Sequence, residues 1–273
     1  MNDLRLALWQ CEPARKGLAA ALDGLDDAAA QAAAAGAALL ITPEMYLTGY
    51  NIGVDAVRAL AQPRDGVMLR QVSTLANRHG VAILVGFPEL GGEGRVHNAV
   101  AFIARSGELR SVYWKSHLYG AVDRAQFSAG GCLGRPFDFE GCVCALAICY
   151  DVEFPELVRA QALSGVEVLL VATANMLPYT GVATRLVPAR AEENAIFVAY
   201  ANYVGKEGEF DYCGLSCVCG PDGVDLARAG GDEELLLADL SKQLLQDTRA
   251  HSTHLNDLRP ELYRPVGEAG ELP

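Results

Sequence analysis

The chain has 273 residues, of which 51% are hydrophobic and 21% are charged, so it holds enough apolar material for a large buried core. Its 34 acidic residues outnumber 22 basic ones, which gives a formal net charge of −12 without any basic run. This balance argues against nucleic acids and anionic membranes as partners.

The sequence also predicts the cellular compartment of the protein. The N-terminus lacks the basic region and cleavage site of a secretion signal, and no apolar run reaches the roughly 18 residues of a membrane span. We therefore expect a cytoplasmic protein with no membrane span. The eight cysteines need not pair in a reducing compartment, and we interpret most of them as core thiols.

Apolar runs of strand length alternate with stretches of helical periodicity along the chain. The predicted strands are 4–11, 38–43, 81–87, 99–104, 109–114, 143–148, 166–173, 196–202 and 235–240, and the predicted helices are 17–35, 66–78, 156–164 and 182–194. Glycine-containing turns at 105–108 and 220–223 are typical of hairpins. Strands joined partly by helices and partly by hairpins indicate an α/β protein with mixed sheets and helices on the outer faces.

No linker or internal repeat interrupts this pattern, so we predict one domain over residues 1–273. Residues 247–273 are polar and contain Pro260 and Pro265. They are predicted to form an extended C-terminal arm, which is either disordered or laid across a partner subunit.

Cys149 is the first residue that could carry chemistry. It ends an apolar run and precedes a polar segment with Pro155, the pattern of a strand that turns into a helix. A cysteine at such a turn projects outward, and the amides of the helix N-terminus favour its thiolate, as in a nucleophile elbow. The alternative is that Cys149 is one more buried thiol.

Two further strand ends carry reactive side chains. Glu44 follows an apolar run among aromatic neighbours, where a carboxylate must find a partner or raise its pKa, as a general base does. Lys115 ends the run 109–114. Considered alone, Glu44 would be interpreted as a capping acid and Lys115 as a solvated lysine. Several reactive strand ends together favour a functional site, because α/β proteins assemble sites where strand ends meet.

Four segments together resemble the signature blocks of the carbon–nitrogen hydrolase (nitrilase) superfamily, in the right order and spacing. They are PEMYLTGY at 43–50, YWKSHL at 113–118, ICYDVEFPE at 148–156 and RAEEN at 190–194. The resemblance extends from the first strand to about residue 240, most of the chain. It implies a four-layer α-β-β-α sandwich with two mixed β-sheets, which usually pairs through helices into a homodimer or higher homo-oligomer.

The resemblance also implies a catalytic triad of Glu44, Lys115 and Cys149. In this scheme Glu44 accepts the thiol proton, Cys149 attacks a carbonyl carbon, and Lys115 holds the resulting oxyanion together with the backbone N–H of Tyr150. Ammonia leaves, and water cleaves the thioester. This chemistry needs a small-molecule amide and water, and neither a metal nor another cofactor.

Other positions follow from the resemblance less directly. The family often has a second glutamate after the lysine, and here Asp123 is the nearest carboxylate; it either substitutes for that glutamate or is an exposed loop acid. Asn175 and Met176 lie in a segment that corresponds to a loop at the pocket rim, where Asn175 would position the amide and Met176 would shape the pocket. Ordinary loop packing is the alternative for both.

The residues after the cysteine bear on the branch of the family. Cys149-Tyr150-Asp151 resembles the amidase branches, whereas the nitrile-hydrolysing branch usually has Trp and then Glu after the cysteine. We therefore predict an amidohydrolase that releases ammonia from a small carboxamide. The alternatives are an N-carbamoyl amide hydrolase, a nitrilase or an acyl transferase with the same triad, and a catalytically silent interaction module.

Overall fold

Two six-stranded β-sheets lie face to face in the computed structural model, which describes residues 3–13 and 17–262. A separate two-stranded ribbon completes the strands found in these ranges. The strands are β1 (Leu4–Gln10), β2 (Leu39–Ile41), β3 (Ala82–Leu90), β4 (Val96–Ile103), β5 (Leu109–Trp114), β6 (Phe137–Phe139), β7 (Cys142–Ile148), β8 (Val168–Ala172), β9 (Phe197–Ala201), β10 (Val204–Glu207), β11 (Phe210–Cys213), β12 (Cys217–Cys219), β13 (Asp225–Arg228) and β14 (Glu234–Leu240).

Both sheets mix parallel and antiparallel pairs, as predicted. The first sheet has the order β14-β1-β2-β3-β4-β5, and its central pairs β1-β2 and β2-β3 are parallel. The second has the order β13-β12-β9-β8-β7-β6, in which β7, β8 and β9 run parallel. Strands β10 and β11 form the separate antiparallel ribbon.

Seven α-helices lie within the described residues, most of them on the outer faces of the sheets. They are α1 (Leu18–Ala34), α2 (Val54–Leu60), α3 (Val67–His79), α4 (Gly120–Gln126), α5 (Pro155–Leu163), α6 (Val187–Asn194) and α7 (Lys242–His251). The many alanines of α1 favour a helix and keep it close to its neighbours. No helix within the described ranges is both long and apolar enough to cross a bilayer.

Three apolar layers hold these elements together. Leu8 and Ile41 of the first sheet belong to the same buried cluster as Ile148 and Leu170 of the second, so the facing sides of the two sheets form the interior between them. Helices α1 and α3 pack on the outer face of the first sheet, and α5 and α6 pack on that of the second. The predicted α-β-β-α order of layers is confirmed.

The structure differs from the sequence-based prediction at two helices. The segment predicted as one helix over 182–194 is a π-helical stretch, Val182–Leu186, followed by α6. The predicted extended arm from residue 247 is wrong in its first residues, because α7 continues to His251. Its N-terminus is capped by the Ser241 hydroxyl, and Arg249 donates hydrogen bonds to two main-chain carbonyls of the body. The end of the predicted arm, 263–273, lies outside the described residues.

Candidate active site

Glu44 lies where the two sheets meet. It follows the end of β2, and its main-chain N–H donates to the carbonyl oxygen of Thr173, the residue after β8 of the other sheet, at 3.2 Å. Gly86 of β3 makes this position possible, since a Cβ there would overlap the main chain of Met45 and lie 2.9 Å from the carbonyl carbon of Glu44. The Glu44 side chain is fully buried.

Lys115 meets Glu44 from the end of β5. Its main-chain N–H donates to the carbonyl oxygen of Asn98 on β4 at 2.9 Å. Its Nζ donates to Oε1 of Glu44 at 2.7 Å, and the side-chain amide of Asn98 donates to the same oxygen at 2.7 Å. Asn98 therefore aligns both charged residues, one through its backbone and the other through its side chain.

Asp123 of α4 completes a buried group of three charges. Its Oδ2 lies 2.7 Å from Nζ of Lys115, and neither side chain is exposed. The Tyr50 hydroxyl donates to Oδ1 at 2.8 Å, and the N–H of Tyr119 donates to Oδ2 at 2.8 Å. Asp123 is thus not an exposed loop acid, and it meets the lysine although it is one methylene shorter than glutamate.

Cys149 approaches from the second sheet. It directly follows β7 and starts a 3₁₀ turn, Cys149–Glu153, that leads into α5. Its backbone φ is +46°, a left-handed conformation that costs a non-glycine residue free energy and is often found at functional sites. The residue as a whole is half-buried.

Asp151 holds this turn. Its buried carboxylate accepts hydrogen bonds from the N–H of Ile148 at 3.2 Å, the Tyr113 hydroxyl at 2.9 Å and the N–H of His117 at 2.9 Å. Nδ1 of His117 lies 2.8 Å from the same carboxylate. His117 therefore makes a structural contact, and Asp151 ties the turn after the cysteine to the segment after Lys115.

Burial has the largest influence on the pKa values of Glu44 and Lys115. It raises the pKa of Glu44, helped by the charge of Asp123 and opposed by Lys115 and the hydrogen bond from Asn98. Burial alone would lower the pKa of Lys115, but the carboxylates of Asp123 and Glu44 outweigh it and hold that pKa well above its usual value. The lysine is therefore a permanent cation.

The same charged residues also change the pKa of the Cys149 thiol. Burial and the charge of Glu44 raise its pKa far above the usual value, while Lys115 and hydrogen bonds with Thr173 and the main chain of Ala174 oppose the rise. At neutral pH the sulfur therefore rests as a thiol, and a base must remove its proton before it can attack.

The other predicted contact residues lie around this cluster. Tyr150 is partly exposed and packs edge-on against Tyr119, with ring centroids 5.4 Å apart. The side-chain amide of Asn175 donates to the carbonyl oxygen of Tyr179 at 3.1 Å, so it holds its own loop. Met176 is buried in the core cluster on the outer side of the first sheet.

Several residues of the site were missed from sequence. Asn98 and Asp151 are polar residues buried beside apolar strands, a signal that was available in the sequence. Glu207 gave no such signal, because its partners are distant along the chain. Its carboxylate accepts the N–H groups of Tyr50 and Asn51 and the hydroxyl of Tyr212, which fastens the β10-β11 ribbon to the loop that carries Tyr50.

One group in the described ranges has donor atoms suited to a metal ion. The sulfurs of Cys217 and Cys219 and a carboxylate oxygen of Asp225 all lie within 4.8 Å of one another. Arg228 already binds that carboxylate through two hydrogen bonds of 2.6 and 2.7 Å. These residues lie on β12 and β13, strands that carry none of the charged cluster.

The fold and this cysteine-centred cluster define a hydrolase of the nitrilase type, and comparison with known proteins agrees. A model of the family described as carbon-nitrogen hydrolase matches residues 5–250, so the chain belongs to the carbon–nitrogen hydrolase family. It is an amidase-type hydrolase acting on C–N bonds other than peptide bonds.

Relatives with known names support this assignment. The chain is 45% identical over 263 residues to a protein of Pseudomonas protegens named for its position, "Hydrolase in pqqF 5'region", covering 96% of this chain and 92% of the relative. It is 34% identical over 236 residues to an (R)-stereoselective amidase of a Pseudomonas species, covering 86% of this chain and 83% of that enzyme.

A solved structure bears on the cysteine. The amidase from Nesterenkonia sp. AN1, as a glutamate-to-glutamine mutant, carries the acetamide moiety of fluoroacetamide covalently on its active-site cysteine. That structure aligns with a TM-score of 0.80 and 35% identity over 95% of each chain. The same amidase has been solved in complex with acrylamide and with butyramide.

Proposed function

We propose that this protein hydrolyses a small carboxamide to a carboxylate and ammonia through a thioester on Cys149. The observation that carries the proposal is the buried contact between Glu44 and Lys115, 2.7 Å long, beside the turn that begins at Cys149. The covalent adduct on the cysteine of the Nesterenkonia amidase supports the same role for Cys149.

Glu44 serves as the base in this mechanism. Its Oε1 is occupied by Lys115 and Asn98, whereas its buried Oε2 has no hydrogen-bond partner among the described residues. An unpaired buried carboxylate oxygen is a strong acceptor for the proton of Cys149. Because the pKa of Glu44 and that of the thiol are both raised, the proton moves as the sulfur attacks the amide carbon.

The tetrahedral oxyanion is stabilised by two donors, the ammonium of Lys115 and the main-chain N–H of Tyr150. Two carboxylates keep Lys115 charged, and its buried position strengthens the interaction. Removal of one such donor typically costs about 3 kcal/mol of transition-state stabilisation. Lys115 is thus a catalytic residue that does not itself transfer a proton.

The intermediate collapses when Glu44 returns its proton to the leaving nitrogen, which departs as ammonia. Water then gives its proton to Glu44 and attacks the thioester, and the second tetrahedral intermediate releases the carboxylate and restores the thiol. Tyr150 borders the substrate in this scheme. Asn175 acts by holding the rim loop and Met176 by supporting it from the core.

An ammonia-release screen over aliphatic, amino-acid and dicarboxylic monoamides tests the proposal. Cys149→Ala should abolish turnover, while the matched variant Cys132→Ala, which alters an exposed thiol, should retain it. Ammonia release that survives in Cys149→Ala would refute the mechanism. Equal release of carbon dioxide would instead indicate an N-carbamoyl amide, and nitrile consumption would indicate a nitrilase.

A silent interaction module would show no turnover and no special reactivity of Cys149 toward a thiol reagent. The homodimer, the cytoplasmic location and the single domain over 1–273 stay predictions. Sedimentation of the purified chain checks the first of them directly.

A further inference from the structure

A second carboxylate stands at the same turn as the proposed nucleophile. Glu153 is the last residue of the turn Cys149–Glu153, and its side chain is partly buried. Its backbone is fixed, since Arg190 of α6 donates to the carbonyl oxygens of Val152 at 3.1 Å and Glu153 at 2.8 Å. The carboxylate therefore has a defined place four residues after Cys149.

This carboxylate is not neutralised by contact. It makes no hydrogen bond or ion pair with any other described residue, because the guanidinium of Arg190 binds the carboxylate of Glu193 and the two carbonyls instead. Burial raises the pKa of Glu153, and the charges of Lys115 and Arg190 oppose the rise. Phe154, the next residue, stacks on the ring of His117 with centroids 3.9 Å apart, so the main chain at Glu153 lies against the segment that follows Lys115.

Aromatic rings surround the same space. Tyr150 packs edge-on against Phe154 with centroids 4.9 Å apart and against Tyr119 at 5.4 Å. Burial, the Tyr179 hydroxyl and the charges of Cys149 and Glu153, in that order, raise the pKa of Tyr119 to about 12. Tyr150 follows Cys149 and Phe154 follows Glu153, so the three rings form one wall along the turn that carries both the sulfur and the carboxylate.

The cations near this wall are already engaged. Lys115 is bound by Glu44 and Asp123, and His117 contacts Asp151. A negatively charged group on a substrate would therefore meet an unpaired carboxylate and find none of these cations available. A positively charged group would meet a carboxylate and aromatic rings, the combination that recognises ammonium ions in proteins.

We propose that Glu153 recognises a protonated amine on the substrate, so that the preferred amides carry an ammonium group in the acyl portion. This inference rests on the proposed amidase function and adds the class of substrate. Glu153 is then a specificity-determining residue that leaves the bond chemistry to Glu44, Lys115 and Cys149.

The test compares amides that differ in charge but hardly in shape. Glycinamide, β-alaninamide and γ-aminobutyramide are paired with propionamide, butyramide and valeramide, and succinamate supplies an anion. For each pair, kcat/KM from ammonia release gives a ratio of charged to neutral amide. Because both rates come from one preparation, a loss of folded enzyme cancels in the ratio.

The wild-type ratio should exceed one at the best spacing, and succinamate should be the poorest substrate. Glu153→Gln should lower that ratio by about tenfold to a hundredfold, the range of a hydrogen bond between charged groups. Glu153→Asp should retain part of the preference. Glu108→Gln, which removes an exposed charge in the β4-β5 turn, should leave the ratio unchanged.

A ratio that changes less than about twofold in Glu153→Gln at every spacing, or falls equally in Glu108→Gln, overturns the inference while the neutral amides still establish the hydrolase. If the wild type turns over no amide faster than Cys149→Ala does, the proposed function itself fails, and the inference fails with it.

Discussion

Asp123→Asn is the substitution whose effect follows most directly from the buried cluster. The carboxylate accepts three hydrogen bonds of 2.7 to 2.8 Å, from Lys115, Tyr50 and the main chain of Tyr119. Asparagine has nearly the same shape, but it removes the charge and turns an NH₂ group toward at least one of these donors. Breaking a buried ion pair in this way costs about 3–5 kcal/mol.

The lower end of that range applies, because Lys115 keeps its contact with Glu44. We expect the free energy of unfolding to fall by about 3 kcal/mol, which corresponds to roughly 5 °C in Tm for a chain of this size. Loss of Asp123 also lowers the pKa of Lys115, since the charge of Asp123 is the strongest influence that raises it. Turnover should fall as well, because the oxyanion donor is no longer held from both sides.

Urea and thermal unfolding of Asp123→Asn measure this loss, with Asp239→Asn as the control. Asp239 also forms a close ion pair, with Arg5 at 2.7 Å, but both side chains are largely exposed. Water screens such a pair, so the control should scarcely change in stability. If Asp123→Asn is no less stable than Asp239→Asn, the cluster does not stabilise the fold and our assignment of its charges is wrong.

Three further predictions follow from the site. Gly86→Ala forces the main chain of Met45 away from β3, so it should cost about 1–3 kcal/mol of stability and most of the activity, whereas Gly92→Ala, where a Cβ meets nothing within 4 Å, should be tolerated in both assays. Glu44→Gln should lower the pKa of the Cys149 thiol by removing a nearby negative charge while abolishing turnover; thiolate absorbance, taken as the difference from Cys149→Ala, measures the shift, and an unchanged or higher pKa contradicts it. In the wild type, kcat/KM should fall as pH decreases through the raised pKa of Glu44, so the acid limb should lie above the usual glutamate value of about 4.3; a limb at or below that value would exclude Glu44 as the base.

Much of the architecture was predictable because local patterns and layer packing agree. Most of each of the long buried strands β3, β4 and β7 is an apolar run, and only a sheet covered on both faces accommodates such runs. The short strands β6 and β10 escaped prediction, since three or four residues carry too little periodicity. Helix α7 was missed because much of its stability comes from tertiary contacts, with Leu245 buried and Arg249 bound to main-chain carbonyls.

The charged groups were predictable to a different degree. Strand ends and the family resemblance identified Glu44, Lys115 and Cys149, and the structure adds what fixes them in place. The role of Asn98 depends on a cross-strand neighbour, and that of Glu207 on a ribbon distant along the chain, so neither follows from local sequence. Asn175 is similar, since the hydrogen bond from its side-chain amide to the carbonyl oxygen of Tyr179 does not follow from local sequence, and its contact with the substrate amide stays a prediction.

The division of the proposed catalytic residues between the two sheets has a consequence for how the sequence of this enzyme can vary. Glu44 and Lys115 follow strands of one sheet and Cys149 follows a strand of the other, so neither sheet carries the complete proposed triad. A shift of one sheet relative to the other would separate the proposed nucleophile from the proposed base. Natural selection for turnover is therefore also selection on the many aliphatic residues that never touch a substrate.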